Sequence, residues 1–67
     1  MYLLRTVKES YGKCQVEVLN TYIKLPSKFK GQYVIIELNL IEKTIKIHQE
    51  IEEKLYLIYQ NSFQIYL

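Results

Sequence analysis

From Cys14 to Leu19 the chain alternates strictly: Cys14, Val16 and Val18 are interleaved with Gln15, Glu17 and Leu19. A period of two residues puts one set of side chains on each side of an extended backbone, so this segment reads as a strand with a distinct apolar face. The same rhythm returns at Thr44 to Gln49, with Ile45 and Ile47 facing inward and Lys46 and His48 outward. Two such segments in a short chain, among many branched and aromatic residues, predict an all-β fold.

The remaining segments fit that frame. Tyr2 to Val7 is rich in aromatic and branched residues, and Gly12 supplies a turn within Glu9 to Lys13, so a hairpin joining Tyr2–Val7 to the alternating strand is expected. Asn20 and Thr21 break the run before Tyr22 to Leu25 resumes it, and Pro26, which has no N–H for a ladder, ends that strand. Ser27 to Gln32 is a polar connection with Gly31 near its end. Tyr33 to Leu38 is apolar on both faces, as expected of a central or interfacial strand. Asn39 to Lys43 reads as the loop before Thr44.

The C-terminal third admits two readings. Ile51, Leu55 and Ile58 stand at helical spacing and Glu50 precedes Lys54 by four residues, which allows a short C-terminal helix. Tyr56 to Tyr59 and Phe63 to Leu67 are β-formers around a Gln60-Asn61-Ser62 turn signal, which favours a hairpin.

A chain of 67 residues supports one domain over residues 1–67, and at this size the core is marginal. Small domains gain stability from disulfides, metals or oligomerisation. Cys14 is the only cysteine, and His48 is a lone imidazole far from it in sequence, so neither a disulfide nor a metal is expected, and no cofactor. A homodimer is the favoured remedy. No run of apolar residues approaches the roughly 18 needed to cross a bilayer, and Met1 to Lys8 lacks the pattern of a signal peptide. With one unpaired cysteine, the expected location is cytoplasmic. Ala, Asp and Trp are absent while Ile, Lys, Tyr and Glu are abundant, pointing to an A/T-rich genome. Enrichment in Lys and Glu further suggests a thermophile, or a virus or mobile element living in one.

Little here could do covalent chemistry. Cys14 and His48 form the single conceivable nucleophile–base pair, but Cys14 falls on an apolar face and His48 on a polar one, so Cys14 reads as a core residue and His48 as a surface residue. Glu50, Glu52 and Glu53 read as a solvated cluster, and two glycines cannot build a phosphate loop. An enzyme is not expected. The basic residues carry more information: Arg5, Lys8 and Lys13 flank the first turn, and Lys24, Lys28 and Lys30 surround Pro26. If the two turns meet, six cations share one end of the molecule and can engage phosphates. The plainer reading is that lysines keep a small β protein soluble and guard its edges. Tyr22 beside Lys24 suits base stacking, although tyrosine is also simply a good strand former.

The segment Asn20 to Glu37 resembles the core of the AbrB/MazE-type swapped-hairpin family: a strand ending in Leu-Pro, a basic connection, a Gly, and a Val-rich strand ending in an acid. Ile23, Leu25, Pro26, Gly31, Val34 and Glu37 stand at the matching places, and Lys43 to His48 resembles the closing strand, so the likeness spans about residues 14–48. It implies an intertwined homodimer that binds double-stranded DNA, with Lys24 and Lys28 where the family tends to carry basic contacts. A transcriptional regulator or antitoxin-like product of a mobile element or virus is the function expected on that basis. A small five-stranded barrel fits the same strands. The alternative function is a protein-interaction module, such as a viral or plasmid-encoded inhibitor or a structural subunit, acting through an exposed edge strand.

Overall fold

A computed structural model describes residues 1–19 and 21–62. They form seven strands: β1 (Tyr2–Thr6), β2 (Lys8–Ser10), β3 (Lys13–Val18), β4 (Thr21–Lys24), β5 (Tyr33–Asn39), β6 (Thr44–Ile51) and β7 (Lys54–Ser62), with one 3-10 turn at Ser27–Phe29. The all-β expectation is met. Two antiparallel sheets result, one with the order β1-β5-β6-β7 and the other β2-β3-β4.

The sheets are joined at Val7. β1 and β2 are nearly one strand, broken where the chain leaves the first sheet for the second, and Val7 sits in that corner at 1% exposure. Its backbone is fully bonded: Val7 N–H donates to the Gln32 carbonyl at 2.9 Å, and Gly31 N–H donates to the Val7 carbonyl at 2.9 Å. Gly31 has φ +74°, in the left-handed region that glycine enters at little cost, and this aims its N–H at Val7. The expected hairpin between Tyr2–Val7 and the alternating strand does not form, because the chain changes sheet at Val7 and the following residues take the place beside β3. Lys8–Ser10 pairs with β3 across the Tyr11-Gly12 turn, while Tyr2–Thr6 pairs with β5 instead.

Both alternating segments bury the face their rhythm specifies. Cys14, Val16 and Val18 meet Ile23 and Leu25 from one sheet, and Val34, Ile36, Leu38, Ile45 and Ile47 from the other, with Phe29 of the 3-10 turn closing one side. Val34, Ile36 and Ile47 are wholly buried, each contributing about 1.5–3 kcal/mol of burial free energy. β5 lies between β1 and β6, so Tyr33 to Leu38 is central and offers no free edge. The Asn39 carboxamide oxygen accepts from Ile41 N–H and Glu42 N–H, at 3.1 and 3.0 Å, and shapes the β5–β6 loop.

The C-terminal helix does not form. β6 turns back at Glu52-Glu53, both at positive φ (50° and 66°), into the nine-residue strand β7. Gln60-Asn61-Ser62, read as a turn, is the last part of that strand, paired with Lys46, Ile45 and Thr44. The residues at helical spacing do not share a face: Leu55 is exposed on the outer side of β7, whereas Ile58 packs on the core. A register shift opposite Ile47 and His48 leaves Ile58 as an extra residue in β7, so that Ile58 and Tyr59, though adjacent, both pack on the core. Asn20, expected to break the chain before β4, and Phe63 to Leu67 lie outside the described residues.

Candidate nucleic-acid interface

Buried residues of β3 alternate with outward ones, and β2 and β4 flank them in register. On the outer face, Gln15 stands opposite Lys8 on one side and Lys24 on the other. Strands lie about 4.8 Å apart, so the two lysines start roughly 10 Å from each other with Gln15 between them. Lys13 shares this face two residues before Gln15, opposite Ser10, within diagonal reach of both flanking lysines. Three lysines therefore neighbour Gln15 on this face, with Glu17 in the fourth position, two residues beyond it.

Beside them lies an open groove of about 780 Å³ between residues 4–8 and the β3–β4 hairpin. Arg5 and Lys8 line one wall, and Gln15, Glu17 and Tyr22 the other. Arg5 donates from its guanidinium to the Leu4 carbonyl at 3.1 Å, which leaves most of its fork free. Tyr22 is 61% exposed on the same face as Lys24. Glu17, opposite Tyr22, is the acid of this wall.

The other two candidate cations are held elsewhere. The Lys28 ammonium sits 5.2 Å from the centre of the Phe29 ring, a cation–π contact. Lys30 Nζ is 3.0 Å from Glu9 Oε2, and the hydrogen bond and charge of that carboxylate raise the lysine's pKa. Among the described residues the remaining charge pair within 4 Å is His48–Glu37, at 3.8 Å on the other sheet. Arg5, Lys8, Lys13 and Lys24 thus have no carboxylate at that distance. The six cations divide into four that share the outer face and its groove and two that do not.

Charge is uneven along the chain in the same sense. Residues 1–33 hold six of the nine cations and two of the seven acids, whereas 34–67 hold three cations and five acids. Gln15 was not singled out by sequence. Its outward direction follows from the alternation, but its place between two lysines is a matter of strand register, which no local signal encodes.

Cys14 and His48 are on different surfaces. Cys14 is buried inside, whereas His48 lies on the outer face of the four-stranded sheet, whose backbone separates it from the core. Among the described residues no group of three or more His, Cys, Asp or Glu side chains is arranged to hold a metal ion, and no helix is long and apolar enough to cross a membrane. No family model, curated protein or solved structure matches this chain.

Proposed function

We propose that this protein binds double-stranded DNA through the outer face of β2, β3 and β4. One observation carries the reading: Lys8, Lys13 and Lys24 neighbour Gln15 on a single face, with no carboxylate at ion-pair distance among the described residues, and Arg5 lines the adjoining groove. Clustered lysines neutralise phosphates and release counterions, which supplies affinity without sequence preference. Gln15 and Tyr22 stand among them as groups able to reach base edges or stack, the kind of contact from which selectivity arises. The regulator role implied by the family resemblance extends this reading.

The test is fluorescence anisotropy of labelled duplex and single-stranded DNA at a series of salt concentrations. The native chain binds duplex with an affinity that falls steeply with salt. Replacing Lys8 and Lys24 together by Gln lowers the slope of log K against log salt by about 1.8, two contacts at about 0.9 each. A stronger preference for single strands makes Tyr22 stacking the dominant mode. No binding at low salt removes the proposal.

A second reading has an observation of its own. From Leu55 to Ser62 the edge strand β7 contains no charged residue, proline or glycine, and its outer side is unpaired among the described residues. Such an edge can accept another strand, as a protein-interaction module would.

A further inference from the structure

We infer that the outer face of the four-stranded sheet is a dimerisation surface whose occupant is a second copy of this chain, stacked face to face. A sheet with one face on the core ordinarily turns polar residues to water on the other. Here the outward positions carry a line of side chains that runs straight across all four strands. Leu4 is in register with Ile35, Ile35 with His48, and His48 with Leu57. Leu4 is 61% exposed and Leu57 52%, with Leu55 and Tyr33 exposed on the same face.

The neighbouring line is polar and ordered: Tyr2, Glu37, Lys46 and Gln60 are likewise in register across the sheet. Consider a two-fold axis in the plane of the interface, parallel to the strands and midway between β5 and β6. It lays each line over its own reverse. Leu4 then covers Leu57 of the partner subunit, and Ile35 covers His48 of the partner subunit. Glu37 faces Lys46 of the partner subunit, and Lys46 faces Glu37 of the partner subunit. Opposite charges meet twice, and the apolar ends cover each other. A face that complements its own reverse is what an isologous dimer requires.

Four strands about 4.8 Å apart and some seven residues long present a face of about 450 Å² in projection per subunit, against the about 800 Å² of accessible surface that a standard stable interface buries per partner. Sheets stacked in this way cross at about 30°, which keeps the facing lines together near the axis. The need for it is also plain, because the twelve buried apolar residues among those described are a small core. This dimer pairs two finished subunits and needs no exchange of hairpins. It uses the other sheet, meeting the candidate DNA groove at Leu4, and is tested without nucleic acid.

The experiment is sedimentation equilibrium of the full chain at moderate salt, over low micromolar to submillimolar concentrations. Three samples are compared: the native chain, Glu37→Lys and Lys46→Glu. The native chain sediments as a dimer of the 8.1 kDa subunit. Each variant alone brings like charges together twice and raises the dissociation constant by about tenfold or more. An equimolar mixture of the two restores Glu–Lys pairing at both sites, and dimer returns. Circular dichroism checks that each variant is folded, and recovery in the mixture is itself evidence of folding. Leu4→Lys and Leu57→Lys, at opposite sides of the sheet, both weaken the dimer, whereas joining through the β7 edge would leave Leu4→Lys silent. A native chain that stays monomeric throughout overturns the inference, and so does a dimer that ignores these charges or a mixture that fails to recover.

Discussion

Lys8 and Lys24 face each other across a single residue, Gln15, with which both are in direct register. Neither has a carboxylate within 4 Å among the described residues, whereas Lys30 is paired with Glu9 and Lys28 rests on Phe29. The two pairs of lysines should therefore behave differently. Lys8→Gln with Lys24→Gln weakens DNA binding about tenfold at moderate salt and flattens its salt dependence. Lys28→Gln with Lys30→Gln leaves the slope in place. Equal effects from both double variants, measured by anisotropy titration, would mean that net charge alone drives binding and that the face around Gln15 has no special part.

Tyr2 and Glu37 give a prediction in pH. The Tyr2 hydroxyl donates to Glu37 Oε1 at 2.9 Å, across β1 and β5. That hydrogen bond is the main reason the Glu37 carboxyl titrates below its ordinary value, and the charges of Lys46 and His48 act in the same direction. A carboxylate with a depressed folded pKa stabilises the fold above its unfolded value, and the contribution disappears as pH falls through the folded value. Tyr2→Phe is therefore less stable than the native chain near neutrality. The difference closes as the solution is acidified below the ordinary glutamate range. Thermal unfolding at fixed protein concentration across that range reads it, and a difference that persists in acid would show that Tyr2 acts by packing alone.

The Glu52-Glu53 turn is built from residues that do not favour it. Both adopt positive φ, where a side chain with a Cβ costs about 1–2 kcal/mol relative to glycine, and Glu50 adds a third carboxylate nearby in sequence. Two-residue hairpin turns of this kind favour Asn-Gly. Glu53→Gly should then raise stability by about 1 kcal/mol, which in a chain of this size lifts the melting temperature by about 4–8 °C. A variant that melts at or below the native temperature would indicate that Glu53 makes a compensating interaction.

Most of the sheet structure was legible because the relevant information is local. The alternations at Cys14–Val18 and Ile45–Ile47 specify which face is buried, and Pro26 and Gly12 mark real ends and turns. The errors are local too. Leu55 and Ile58 stand at a helical interval but on opposite faces of β7, which spacing alone does not reveal, and Gln60-Asn61-Ser62 carries turn residues that pairing with β6 holds extended. The candidate face was only partly legible. Sequence can nominate Arg5, Lys8, Lys13, Lys24, Lys28 and Lys30 as one group, but ladder register divides them. Lys24 comes beside Gln15, while the chain beyond Pro26 carries Lys28 and Lys30 away from that face. The corner at Val7 was likewise invisible, since no residue type marks where one strand changes sheet.

That corner supports a last prediction. Val7 has both backbone groups bonded by residues 31–32, and the geometry depends on Gly31 holding φ +74°. A Cβ added there meets nothing within 4 Å, so Gly31→Ala has room and its cost is conformational. Forcing alanine into the left-handed region costs about 1–2 kcal/mol, partly offset by a less flexible unfolded chain. The expected net loss is about 1 kcal/mol in denaturant unfolding, with faster hydrogen exchange at the Val7 amide. Gly31→Asn should lose less, because asparagine enters this region more readily than alanine. If Gly31→Ala instead matches the native chain in both stability and Val7 exchange, the joint tolerates another backbone path, and Val7 rather than Gly31 fixes how the two sheets meet.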